Sequence, residues 1–450
     1  MRLRGANIGV ALLIVSLAAS PLHARPIETA TLANGLKVIL VEEHKAPVVT
    51  LQLWYRVGSR DEADGRTGLA HLTEHMMFKG TRKHGKGEFS RLVAKAGGTE
   101  NAFTDKDYTA YFENMAADRI GLALELESDR MTNLLLDPSE FQLEREVVKE
   151  ERRLRTDDDP TGLLFEHLYA AAFVAHPYHA PVIGWMTDLD RLTREDLVQH
   201  YRRFYHPANA TLVVVGDFSG KELLPKIRHV YEGIPRRPQA PPGPVDPPGP
   251  MEPEQHGERR ILVKKEAHLP VAALGYHAGN FRQAEAPALV VLSHILSAGK
   301  SSRLYRRLVY DKKVALAAGG DYAALSADPD LFTFYAVAQP GRTVQEVEAA
   351  LVEEIDRVRR EPVSEQELTK AKNQVEASFL MGQDSNFFLA MQLGMMETVG
   401  AGIQYFETYM ERIRAVTRED VLAAARRYLQ DDGRTTAILI PLPSEEAAAR

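Results

Sequence analysis

The residues with the strongest chemical potential are His71, Glu74 and His75, in the run His71-Leu72-Thr73-Glu74-His75. On a helix, His71 and His75 stand one turn apart on one face, and Glu74 lies beside them. Two neutral imidazoles can bind a divalent cation, while a neighbouring carboxylate can hold a water and accept its proton. The competing reading is a helix surface with two histidines and an ordinary solvated glutamate. A second stretch, Leu143-Glu144-Arg145-Glu146-Val147-Val148-Lys149-Glu150-Glu151, strengthens the metal reading. A helix brings Glu144 and Glu151 to nearly the same face, with Val148 between them. A zinc site that keeps one position open needs an oxygen ligand besides two imidazoles, and Glu151 can provide it. Glu144 fits better as a supporting group that orients a histidine or adjusts local charge. Glu150 points about 100° further around a helix. Taken alone, this second stretch also reads as a solvated helix face of mixed charge.

Composition narrows the chemistry. The chain has 450 residues and no cysteine, which excludes disulfides, cysteine nucleophiles and thiolate metal sites, so any metal must be held by His, Asp or Glu. Lys and Arg number 55 against 62 Asp and Glu, a net charge of −7, which counts against a nucleic-acid partner. Arg2 and Arg4 precede an apolar run from Ile8 to Ala19, followed by Leu22-His23-Ala24. This pattern predicts a signal peptide over residues 1–24 and export, with a periplasmic location expected and secretion the alternative. A cysteine-free chain is compatible with an oxidising periplasm. No later stretch is long and apolar enough to predict a membrane span in the mature chain.

The elements that must position these residues follow from pattern and punctuation. Leu36 to Pro47 and Val48 to Ser59 predict two strands joined at a turn by Pro47. Leu69 to Lys79, Glu113 to Leu135 and Pro138 to Arg155 predict helices, and residues 210–217 a strand. Nine prolines between Pro235 and Pro253 remove backbone donors and favour an extended connector. The expected organisation is a catalytic domain over 25–232, a proline-rich linker over 233–257 and a second domain over 258–450. The halves also repeat: His71 and His294 each lie 24 residues beyond a proline, Pro47 and Pro270, that precedes a strand-like run. Ser297 and Ala298 fall where the first half has Glu74 and His75. The prediction is a duplicated α/β unit, of mixed sheet and helices, with one chemically complete copy.

Together, "HLTEHMMFKGT" and "EREVVKEE" resemble the inverted-zinc-motif peptidases of the pitrilysin, insulin-degrading enzyme and mitochondrial processing peptidase family. The resemblance implies the pitrilysin-like duplicated fold and a zinc-dependent endopeptidase with one zinc per chain. It casts His71, His75 and Glu151 as ligands, Glu74 as the base and Glu144 as a supporting acid. The stretch "GGTENAFTDKDYTAYF", residues 97–112, also matches. It implies an edge segment that pairs with extended substrate, with Asn101 and Ala102 near the cleavage site. Tyr108 reads as part of the same segment, with buried packing as its alternative, and Tyr178 either lines the cleft or belongs with His176 and His179 to a polar loop. Such an edge suits peptides or unfolded polypeptides, because backbone groups are offered irrespective of side chain. Family members assemble two double-domain halves around a chamber, so a homodimer or a heterodimer with a related subunit is expected. An arginine and tyrosine from the opposite half assist in such enzymes. Residues 308–341 contain Tyr310, Tyr322 and Tyr335 but no arginine, which favours a heteromeric partner. The competing function is a non-catalytic structural or peptide-binding subunit.

Overall fold

The computed structural model describes residues 25–236 and 251–443. The expected signal peptide and residues 237–250 of the proline-rich connector lie outside the described residues. Two mixed sheets form the frame. The first contains β1 (Ile27–Thr31), β2 (Lys37–Glu42), β3 (Val48–Tyr55), β4 (Thr99–Thr104), β5 (Thr109–Ala116) and β6 (Ala210–Gly216), in the order β1-β2-β6-β3-β5-β4. The second contains β7 (Arg259–Glu266), β8 (Val271–Ala278), β9 (Ala315–Tyr322), β10 (Asp330–Ala338) and β11 (Arg434–Leu442), in the order β7-β11-β8-β10-β9.

Apart from β1, the sheets are copies. In each, the last strand enters between the first two of the repeat, parallel to one and antiparallel to the other. The two strands expected on either side of Pro47 form, but they are not neighbours in the sheet. β2 and β3 do not pair, because β6 lies between them, and its seven residues are all buried. Buried on both faces, such a strand reads as a continuous apolar run and suits the middle of a sheet. The predicted helix over Glu113 to Leu135 is also shortened. Residues up to Ala116 complete β5, and the helix runs Ile120–Asn133.

Packing crosses the connector. Helix Pro160–Ala172 lies on the second sheet, where Leu164 and Leu168 pack with Val263, Val271, Ala273, Ala437 and Leu439. Helix Asn386–Thr398 lies on the first sheet, with Leu389, Leu393 and Met396 against Ile39, Trp54, Val213 and Val215. Gly394 makes this approach possible, since a Cβ there would sit 2.2 Å from Trp54 Nε1. The proline-rich segment ends at a fixed point: Glu252 accepts backbone hydrogen bonds from Val174, Ala175 and His176 at 2.8, 2.9 and 3.0 Å. A division at the connector therefore separates the chain in sequence but not in packing. No described helix is long and apolar enough to cross a membrane.

Candidate metal centre

Helix Leu69–Met76 carries the two histidines. It begins after Gly68, whose φ of 89° is left-handed and whose missing Cβ would lie 2.7 Å from the Ile183 carbonyl oxygen, so glycine is required on both counts. The Glu62 carboxylate accepts from the N–H groups of Gly68 and Ala70 at 2.8 and 2.6 Å, satisfying donors that the first turn leaves open. Leu69, Leu72 and Met76 are buried, and this turns His71 and His75 toward helix Pro138–Arg152. That helix is capped by Asp137, which accepts from Ser139 N and Glu140 N, and it buries Phe141, Glu144 and Val148.

Glu151 meets both imidazoles. Its Oε2 lies 3.8 Å from His71 Nε2 and 3.4 Å from His75 Nε2. The three candidate ligand atoms all fall within 4.8 Å of one another, and no other such group of three occurs among the described residues. Glu144 Oε2 is 3.2 Å from His75 Nδ1, and its Oε1 is 2.6 Å from Lys79 Nζ. An ionised carboxylate only accepts, so His75 Nδ1 carries the hydrogen and Nε2 keeps its lone pair toward Glu151. Burial opposes the charge on Glu144, but hydrogen bonds from His75 and Lys79 outweigh it and hold the carboxyl below its ordinary value. His71 is pushed down to about 3, first by burial and then by His75 and Arg155. A neutral His71 is a lone-pair donor at neutral pH. Two imidazole nitrogens and one carboxylate oxygen match the donor set of a three-ligand catalytic zinc site.

Glu74 points elsewhere. Thr104 Oγ1 donates to Glu74 Oε2 at 2.5 Å. Burial raises Glu74 above its ordinary value, with the Thr104 bond working against the shift. Sequence reasoning missed both Thr104 and Glu62. Thr104 was within reach, because strand alternation puts it on the same face as Ala102. Glu62 lay in a loop with no pattern to mark it.

β4 is the outer strand of the first sheet, paired on one side with β5. Asn101 is exposed and Ala102 half-buried, and the Ala102 N–H donates to Asn101 Oδ1 at 2.9 Å. Tyr108 does not belong to this edge. It follows β4 in a turn, and its buried ring packs edge-on against Trp54, 5.1 Å between centroids, on the sheet face covered by helix Asn386–Thr398. Its size and apolar ring are satisfied there by core packing. Tyr178 is likewise buried and not a cleft residue: its hydroxyl donates to Asp107 at 2.7 Å. In the second half, His294 Nδ1 lies 3.0 Å from the Val290 carbonyl oxygen, and among the described residues it belongs to no group of three that could hold a metal.

The family model described as Insulinase (Peptidase family M16) matches residues 37–185, and the one described as Peptidase M16 inactive domain matches residues 191–375. Zinc protease PqqE of Helicobacter pylori is 34% identical over 436 residues, covering 95% of this chain and 97% of that one. A protein of Arabidopsis thaliana named "probable mitochondrial-processing peptidase subunit beta" is 25% identical, over 91% of this chain and 77% of its own. The crystal structure of a protease from Helicobacter pylori superposes with a TM-score of 0.88 at 33% identity, covering 93% of this chain and 100% of that one. Matched along nearly its whole length by a zinc protease, and in both halves by the family's own models, the chain belongs to the pitrilysin-like peptidase family M16.

Proposed function

We propose that this chain is a zinc-dependent endopeptidase that hydrolyses peptides and unfolded polypeptides, with one zinc per chain. The observation that carries this reading is the meeting of His71 Nε2, His75 Nε2 and Glu151 Oε2 beside Glu74, with the open edge of β4 joined to Glu74 through Thr104. His71, His75 and Glu151 would hold the zinc, which would supply a Lewis acid able to polarise a substrate carbonyl and acidify a water. Glu144 keeps His75 in the tautomer that presents Nε2, and Lys79 holds Glu144 in place. Thr104 fixes one oxygen of Glu74, leaving the other to receive the proton of the attacking water. The same carboxyl then returns the proton to the leaving amine nitrogen, so no serine or cysteine nucleophile is needed. β4 aligns the substrate backbone by adding it as a further strand, a mode suited to extended chains.

The decisive experiment is metal analysis of the purified protein together with cleavage of an unstructured peptide. One zinc per chain with chelator-sensitive turnover supports the reading. Zinc and peptide binding without turnover would assign the chain to the competing class, a peptide-binding subunit.

Two further parts of the reading concern the setting. The arginine-flanked apolar run supports export to the periplasm, which terminal sequencing of the mature protein checks; intact residues 1–24 would refute it. The single complete site in two duplicated halves supports a dimer, either of this chain or with a related subunit that supplies an arginine. Size measurement under assay conditions distinguishes these, and full turnover by a monomer would reject both.

A further inference from the structure

The turn that follows β4, Asp105-Lys106-Asp107-Tyr108, sends its two central charges into the second half of the molecule. The Lys106 ammonium pairs with Asp330, the first residue of β10, and lies 4.6 and 4.8 Å from the ring centroids of Tyr169 and Tyr178. Asp107 accepts from the Tyr178 hydroxyl at 2.7 and 2.8 Å, from the Ala327 N–H at 2.8 Å and from Arg60 at 3.3 Å. Asp328 closes the circuit, 2.6 Å from Arg60 Nη2 and 3.1 Å from His176 Nε2, while its own N–H donates to the Tyr178 hydroxyl at 3.2 Å. On the near side, Ser59 N and Arg60 N donate to the carbonyls of Asp105 and Lys106 at 3.2 and 3.0 Å. Gly58 admits the turn, because a Cβ there would lie 2.2 Å from the Asp105 oxygen.

Ion pairs this deeply buried are a poor source of stability, since desolvation offsets much of the attraction. A network with every member hydrogen-bonded does supply a unique geometry. What this network holds in place is the end of β4. Thr104, one residue before the turn, is the donor to Glu74, and β4 has a neighbouring strand on one side only. An outer strand that must accept a peptide on its free side needs its position set from its end.

We propose that the β9–β10 loop of the second half and the start of β10, through Ala327, Asp328 and Asp330, form a positioning element that sets the open edge of β4 and the Thr104 contact to Glu74 for an incoming extended peptide. The purpose assigned to the strand rests on the peptidase reading; the lock itself does not. In this scheme the second half, without a metal motif, acts on the first half's site through the backbone of residues 104–107.

The test uses the full mature protein and two variants. Lys106→Met with Asp330→Leu removes both charges and leaves neither partner unpaired, and Tyr178→Phe deletes the hydroxyl shared by Asp107 and Asp328. Three quantities are read: the thermal midpoint, amide hydrogen exchange across residues 99–104, and kcat and KM on unstructured peptides of increasing length. The expected result is a midpoint close to the parent's, faster exchange in β4, and a fall in kcat/KM of roughly 10- to 100-fold. The rise in KM should be larger for long peptides than for short ones. Unchanged β4 exchange, or a midpoint that falls while exchange and length dependence stay the same, overturns the lock. If the double variant fails to fold, Tyr178→Phe decides by the same readouts. A parent protein that holds zinc but turns over no peptide overturns the functional reading alone, because the exchange measurement still decides the lock.

Discussion

Helices Leu69–Met76 and Ala286–Ser297 occupy the same place against two sheets of the same strand order, yet among the described residues only the first contributes to a group that could hold a metal. The companion helices extend the comparison. Aligned on their caps, Asp137 and Ser364, the buried positions Phe141, Glu144, Val148 and Arg152 of one correspond to Leu368, Ala371, Val375 and Phe379 of the other. Glu144 thus gives way to Ala371 and Glu151 to Ser378. The backbone differs as well: the second histidine-bearing helix ends at Ser297, so Ala298, opposite His75, has extended backbone and lies outside the helix. The comparison teaches that the second copy lacks the chemistry both in its side chains and in where its helix ends, while keeping the packing that both sheets require.

The largest effects should come from the residues found in the first half alone. Glu74→Gln is expected to lower kcat by roughly 10²- to 10⁴-fold with zinc content preserved. Glu151→Gln should instead lose zinc, by more than the roughly 10- to 100-fold typical of outer-shell changes, as titration with a competing chelator will read. Next comes Thr104→Val, which removes a hydrogen bond to a charged group. Turnover should fall roughly tenfold, in kcat and without loss of metal.

Gly394→Ala probes the exchanged helix and not the site. The added methyl meets Trp54, and overpacking of this kind costs about 1–3 kcal/mol, visible as a lower unfolding midpoint with metal binding intact. A smaller effect is expected at Glu367 of the second half. Its carboxyl is held down to about 2, chiefly by the hydrogen bond from Arg303 and against the opposing effect of burial. Because the folded value is depressed, the stabilisation is present above the ordinary 4.5 and is lost as pH falls toward 2. Arg303→Met should flatten stability across that window in acid denaturation curves, modestly because the pair is partly solvated. The last expectation is no change. Ser297→Glu with Ala298→His and Ser378→Glu should leave zinc at one per chain, because residue 298 is not on the helix. A second zinc in metal analysis would break the comparison.

Much of the fold and site was legible in the residues. The i, i+4 histidines and i, i+7 glutamates could be assigned because helical periodicity puts such pairs on one face whatever the surroundings. The repeat was legible from equal spacing after Pro47 and Pro270. Tyr108 and Tyr178 were misread, because an aromatic ring in a turn carries no periodic sign of which layer it enters. The partners of the two strands around Pro47 were not legible for a related reason: the short connection gives no sign that a strand from residues 210–216 enters between its ends.

By itself, the sequence determined the donor set: the absence of cysteine leaves nitrogen and oxygen ligands, and local helix geometry brings each pair together. It also determined the duplication and the chemical incompleteness of the second copy. Only the tertiary structure decided that the two pairs meet, that Thr104 reaches Glu74, that each sheet is covered by a helix from the other half, and that Ala327, Asp328 and Asp330 grip the turn after β4. These depend on contacts between segments up to more than 200 residues apart, as between Lys106 and Asp330. Such contacts arise from burying whole faces against one another, and no local spacing encodes which faces will meet.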